Sequence, residues 1–226
     1  MREIVLDTET TGLDPLAGHR VVEVGCIELV NMVATGRTFH AYFNPEMLMP
    51  TGAQDVHGLT DEFLADKPRF GEQVEALLEF IGDAQLVIHN AQFDIGFLNA
   101  ELERVGRPRL VNAYIDTVSV ARRKFPGQRA SLDALCERFG IDNSSRTKHG
   151  ALLDSELLAE VYLELSGGRQ RDLGLAPEMA ARVIAGLSLA AGGNIRPARP
   201  HAPSAAELAA HVAFLAKLSD PLWLRA

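Results

Sequence analysis

The strongest constraint on the fold is the order of its segments: three strand-like stretches come first, and strand-like and helix-like stretches then alternate. Ile4 to Asp7 is a short apolar run that leads into a Thr-Glu-Thr-Thr-Gly cluster, which reads as a buried strand ending at a site. Arg20 to Val30 and Thr38 to Phe43 are rich in Val, Ile, Phe and Tyr and read as further strands, so the three suggest an antiparallel meander. Phe70 to Gly82 carries Val74, Leu77, Leu78 and Ile81 at helical spacing, and Gln85 to His89 is another short strand. Phe93 to Val105 then predicts a helix with Ile95, Leu98 and Leu102 on one side, ended by Gly106 and Pro108. Tyr114 to Asp116 is a candidate fifth strand, Ser131 caps a helix through Phe139 that Gly140 stops, and Leu152 to Leu165 is the last strong helix. Such an order implies an α/β domain with a mixed sheet flanked by helices.

After Gly168 the composition changes. Residues 169–204 are rich in Ala, Gly, Pro and Arg, and Pro197 to Pro203 does not fit regular structure, although 178–191 reads as an Ala-rich helix. Helical spacing returns from Ala205 to Leu218, before the chain closes on Leu222-Trp223-Leu224. The expected organisation is therefore a domain over residues 1–168, a linker over 169–204 and a short helical tail over 205–226. Acidic residues interrupt the N-terminus before a signal-peptide core could form, and no stretch approaches the roughly 20 apolar residues of a membrane span. Cys26 and Cys136 sit in apolar-patterned segments and read as reduced, buried thiols. These features predict a soluble cytoplasmic protein without a membrane partner.

Charge limits what the chain can do alone. The net charge is −8, and residues 1–166 hold 26 Asp and Glu against 15 Lys and Arg. A protein that grips duplex DNA through its phosphates normally presents a basic face. If this chain works on nucleic acid, metal ions or a partner must supply the attraction.

Three segments carry carboxylates at element ends. Asp7 and Glu9 lie two apart on a strand, so both project to one face, where they repel unless a cation sits between them. Mg²⁺ prefers such oxygen ligands, and Gly12 allows a tight turn and close backbone approach; by itself the pair reads equally well as a solvated acidic turn. Asp94 follows His89-Asn90-Ala91-Gln92-Phe93 in the first turn of a helix, a position the helix dipole alone would favour for an acid. His149 and Asp154 are five residues apart, a rotation of about 140° on a helix, so they converge only if His149 sits in the loop before it. A histidine on such a loop, beside a carboxylate-bound metal, is a plausible general base, and otherwise a surface histidine. Together the segments offer four carboxylates and one histidine. Four carboxylates can hold two divalent ions about 3.5–4 Å apart, the arrangement used for phosphodiester displacement.

At these residues the chain resembles the DEDDh exonucleases, especially the branch of proofreading (epsilon-type) subunits of bacterial replicative DNA polymerases. The matching motifs are Asp7-Thr8-Glu9-Thr10-Thr11-Gly12, His89 to Asp94 and His149 to Asp154, joined by Val56-His57-Gly58-Leu59-Thr60 and Ser131-Leu132-Asp133-Ala134-Leu135-Cys136. The resemblance spans about residues 3–168 and implies an RNase H-like fold. It assigns Asp7, Glu9, Asp94 and Asp154 to two Mg²⁺ or Mn²⁺ ions and His149 to water activation. Gly12, His57 and Asn90 would contact the terminal nucleotide of a DNA 3′ end, His57 being otherwise a loop histidine. The resemblance gives no role to Asp116 or Asp133, which read as a supporting carboxylate and an exposed helix residue.

The same resemblance makes Gln170-Arg171-Asp172-Leu173-Gly174-Leu175 a sliding-clamp-binding peptide and Ala205 to Leu224 the segment that holds the polymerase catalytic (alpha) subunit. A tethered tail raises the local concentration of its partner, although this linker lacks the polar composition expected of the family. Delivery of the primer end by a polymerase and clamp would resolve the charge problem, and mispaired ends would be selected because they fray readily. Two rival functions share these residues: a DEDDh exoribonuclease trimming RNA 3′ ends, and an inactive adaptor between polymerase and clamp.

Overall fold

The computed structural model describes residues 1–144, 146–168 and 202–217. Five strands form one sheet: β1 (Arg2–Thr10), β2 (Val21–Val30), β3 (Val33–Tyr42), β4 (Gln85–Ile88) and β5 (Tyr114–Asp116), in the order β3-β2-β1-β4-β5. The β3-β2-β1 half is antiparallel and the β1-β4-β5 half parallel. β2 and β3 are joined by Asn31 and Met32, both in the left-handed region with φ of 52° and 66°, which matches the two-residue hairpin turn that fits strand twist. β4 and β5 follow helical crossovers, as parallel neighbours require.

Strand alternation splits the core between two faces. Ile4, Leu6, Val24, Cys26, Leu86 and Ile88 pack with residues of α3 (Phe70–Ile81) and α4 (Ala91–Arg104). Val5, Ile27, Leu29 and Val87 pack with residues of α5 (Thr117–Lys124), α6 (Leu132–Phe139) and α7 (Ala151–Leu165). β1 is central and covered on both sides, so Ile4, Val5 and Leu6 are each fully buried. That explains why the run reads as continuously apolar rather than alternating. The mixed α/β sheet expected from the segment order is present, and both cysteines are free and buried.

Several elements escape the sequence patterns. β3 begins at Val33, well before Thr38, along an exposed edge whose residues give no apolar alternation. α1 (Thr51–His57), α2 (Asp61–Leu64), α5 and a 3₁₀ turn at Pro15–Ala17 are short, and each buries at most two residues. Too few apolar positions repeat in them for a period to show.

Residues 174–226 form a separate unit, of which 202–217 are described. They contain α8 (Ala205–Leu215), capped by Ser204, whose Oγ accepts from Glu207 N at 3.3 Å while Glu207 Oε2 accepts from Ser204 N at 2.7 Å. The expected clamp peptide at 170–175, the Ala-rich helix at 178–191 and the end of the tail from 218 lie outside the described residues. No described helix is long and apolar enough to cross a membrane.

Candidate active site

β1 runs past its parallel neighbour: its pairing with β4 stops at Leu6, while its pairing with β2 continues through Asp7 and Glu9. The strand end thus projects beyond the carboxyl end of β4, where open α/β sheets build their sites. Asp7 and Glu9 point to the α7 face, as does Val5, whereas Thr8 points to the α4 face. There Thr8 Oγ1 donates to Asp94 Oδ1 at 2.7 Å, fixing a carboxylate in the first turn of α4.

Asp154 reaches the same place because of Gly25. In the sheet register Asp7 pairs with Gly25 and Glu9 with Glu23. A Cβ on Gly25 would lie 2.3 Å from Ala151 C and from Leu152 N, so only glycine lets the first turn of α7 rest on β2. Ser155 Oγ donates to the Gly25 carbonyl at 3.0 Å and pins that contact. A glycine inside a strand is a legible sign of close backbone approach, but its partner is decided in three dimensions.

His149 stands in the loop before α7, whose N-cap is Gly150. The loop is tethered to the end of α1: His149 N donates to Val56 O at 3.2 Å, and Lys148 Nζ to Asp55 O. His149 Nδ1 lies 3.4 Å from Asp154 Oδ2, and Glu9, His149 and Asp154 each bring one ligand atom within 4.8 Å of the others. Asp7, Glu9, Asp94, Asp154, His149 and Asn90 all line one cleft of about 310 Å³.

Gly12 and His57 lie outside that lining. Gly12 packs against His19, which a Cβ would approach to 2.5 Å. His57 is buried at the end of α1; its Nδ1 accepts from Leu59 N at 3.0 Å and its Nε2 has no partner. Asn90 adopts φ 69° before α4 and donates its N–H to Asp116 Oδ1 at 3.1 Å. Asp116 also caps α5, a supporting role in keeping with its place at a strand end.

The electrostatics are those of buried carboxylates crowded together. Burial, and then Asp94, Glu9, Asp154 and Glu23, push the Asp7 carboxyl well above the usual range. Burial, with Asp154, Glu23 and Asp94 behind it, pushes Glu9 up to about 8, and Glu9 Oε1 is buried without any hydrogen-bond partner. Burial pushes Asp94 up to about 7. An oxygen donor set of this kind, with an orphaned buried carboxylate oxygen, fits a divalent ion. Asp154 differs: burial raises it, but the hydrogen-bonded Arg146 guanidinium and the neighbouring His149 outweigh that and hold it below the usual range.

Arg146, Asp133 and Glu23 were not anticipated as members of this site. Asp133 is indeed exposed on α6, yet it accepts from Arg146 Nη1 at 2.8 Å and from Asn143 Nδ2 at 3.0 Å. Glu23 is buried opposite Glu9 and 2.8 Å from His40 Nε2. Arg146 comes from a loop with no pattern of its own, so only folding reveals its neighbours.

The mixed sheet with an acidic cleft at the end of its central strand is the architecture of an RNase H-like exonuclease. The chain belongs to the exonuclease family (RNase_T), which matches residues 4–162. It is 58% identical over 174 residues to the DNA polymerase III subunit epsilon of Rickettsia felis, covering 75% of this chain and 76% of that protein. To the subunit epsilon of Pasteurella multocida it is 42% identical over 226 residues, covering 96% and 89%. Among solved structures, the nuclease domain of 3′hExo, a DEDDh family member, shares the fold with a TM-score of 0.64 at 20% identity, covering 75% of this chain and 94% of that one. The family implies divalent metal ions.

Proposed function

We propose that this chain is a 3′→5′ exodeoxyribonuclease that removes mispaired terminal nucleotides as the proofreading subunit of a bacterial replicative DNA polymerase, in the cytoplasm. The observation that carries the reading is the convergence of Asp7, Glu9, Asp94 and Asp154 on one cleft, with Glu9 Oε1 buried and unpartnered. These four residues would hold two Mg²⁺ or Mn²⁺ ions. When bound, the ions supply Lewis-acid activation of water and stabilise the leaving oxygen.

The chain's own groups do the rest. His149, half-exposed on the loop before α7, lines the cleft and accepts the proton of the attacking water. Thr8 keeps Asp94 from rotating by holding one of its oxygens. Asn90 presents the start of α4 to the terminal nucleotide, while Gly12 and His57 frame the approach behind the strand end.

Residues 1–168 act as the catalytic domain, 169–204 as a tether with a clamp peptide at Gln170 to Leu175, and 205–226 as the polymerase-binding tail. Two facts support the tail: the match to the P. multocida subunit extends over nearly the whole chain, and α8 exposes Leu208, Val212 and Phe214. Docking of the tail on the alpha subunit explains how an acidic nuclease meets DNA.

Rates on single-stranded DNA and RNA of equal sequence test the substrate. A strong RNA preference would favour an exoribonuclease instead. Asp7→Ala is expected to abolish metal-dependent hydrolysis while the fold survives; full activity in that variant would refute the site. Pull-down of polymerase and clamp with residues 1–168 against the full chain tests the tail, and equal capture would refute it.

A further inference from the structure

We propose that Arg146 is an internal counter-ion that seals the metal-free site, and that a divalent ion must displace it from Asp154 to bind. The inference rests on the reading of the cleft as a metal site. Arg146 approaches Asp154 as a fork, with Nε 2.5 Å from Oδ1 and Nη2 2.7 Å from Oδ2. Such bidentate, charge-assisted pairs are among the stronger hydrogen bonds in proteins. Both Asp154 oxygens are thereby engaged, and its carboxylate is one of the three groups that gather with Glu9 and His149 around a common point. Each oxygen keeps a second lone pair, but a guanidinium and a divalent ion held on one small carboxylate repel each other, so the two cations compete for Asp154.

Three further facts shape the idea. Arg146 is the only Lys or Arg among the described residues lining the cleft, and its side chain is 7% exposed. Among the described residues it is therefore the Lys or Arg placed to offset four clustered carboxylates. Its Nη2 also lies 2.8 Å from His149 Nδ1. A guanidinium has no acceptor, so the ring nitrogen must accept that bond. The same residue thus occupies both the ligand Asp154 and the base His149. Finally, Asp133 outside the cluster already binds Nη1 and offers a seat for Arg146 once Asp154 is surrendered. Two arrangements follow: Arg146 bridging Asp133 and Asp154, and, with a divalent ion bound, Arg146 on Asp133 alone.

The test uses the full-length protein stripped of metal and titrated with Mn²⁺ alone, followed by calorimetry and by the electron paramagnetic resonance signal of free Mn²⁺. Loss of a competing bidentate bond is expected to tighten Mn²⁺ binding by about tenfold to a hundredfold in Arg146→Ala. Arg146→Lys keeps the charge without the fork and should fall between. The metal-free Arg146→Ala protein should also melt below the wild type, with the gap closing at saturating Mn²⁺. Should Arg146→Ala not fold without metal, Arg146→Lys against wild type gives the same comparison. Unchanged or weaker Mn²⁺ binding in both variants overturns the proposal. An arginine that merely braces the loop would lower melting equally with and without Mn²⁺ and leave affinity alone, which also overturns it. If neither wild type nor variants bind Mn²⁺, the metal-site reading itself fails.

Discussion

Replacing Glu9 with glutamine is expected to stabilise the metal-free protein, and to do so only above mildly acidic pH. Glu9 is 7% exposed, one of its oxygens has no partner, and Asp154, Glu23 and Asp94 surround it. Burial and those charges lift its carboxyl from 4.5 to about 8. An unfolded chain releases this proton near 4.5, whereas the folded protein retains it until about 8. Between those values the folded state binds more protons than the unfolded one, so its stability falls as pH rises. The contribution is intact below the unfolded value and fully lost above the folded one. At pH 7 the stability already lost amounts to about 3 kcal/mol, and Asp7 and Asp94 share part of it. Glutamine keeps the shape and never ionises. For a domain of this size, each kcal/mol moves the melting temperature by roughly 2–4 °C, so Glu9→Gln should melt up to about 6–12 °C above wild type at pH 7 in EDTA, and further above it at pH 8. At pH 4 the two should nearly coincide. Calorimetric melts at pH 4, 6 and 8 measure this, and saturating Mg²⁺ should reverse the order because wild type gains binding energy that the variant lacks. A melting difference that is the same at pH 4 and 8 would refute the reasoning.

Three other substitutions probe how the site is held. Gly25→Ala drives a Cβ into the backbone of α7; it should cost about 1–3 kcal/mol or more in urea unfolding and weaken Mn²⁺ binding, because Asp154 moves with the helix. His149→Ala should lower kcat far more than it changes Mn²⁺ affinity, and equal turnover would remove His149 from the base role. Glu101, fully buried between Arg20 and Arg104 and accepting from Val21 N at 3.2 Å, anchors the segment after β1. Glu101→Ala strands those charges and should cost about 3 kcal/mol in chemical denaturation.

The long elements were legible in the chain because each carries enough repeats of its own period. Phe70–Ile81 and Leu132–Phe139 follow the expected bounds closely, Gly82 and Gly140 ending them in the structure as in the sequence. The edge half of β3 and helices α1, α2 and α5 were not, since short or exposed segments bury too little to leave a pattern. The same limit applies to roles. Asp133 reads as an idle surface acid until Arg146 is seen on it.

What the chain alone determined is the kind of chemistry: acidic residues at strand and helix ends, a histidine five residues before one of them, and a charge balance that leaves DNA capture to partners. Those are local facts of residue type and spacing, set by side-chain period and helix ends. Only the tertiary structure decided which groups meet. Gly25 brings Asp154 beside Asp7 by letting two backbones touch, Thr8 turns Asp94 inward, and the end of α1 holds the His149 loop. Arg146 finds its place across the same gap. Such contacts join residues far apart in sequence, and their geometry depends on the packing of whole elements rather than on any motif.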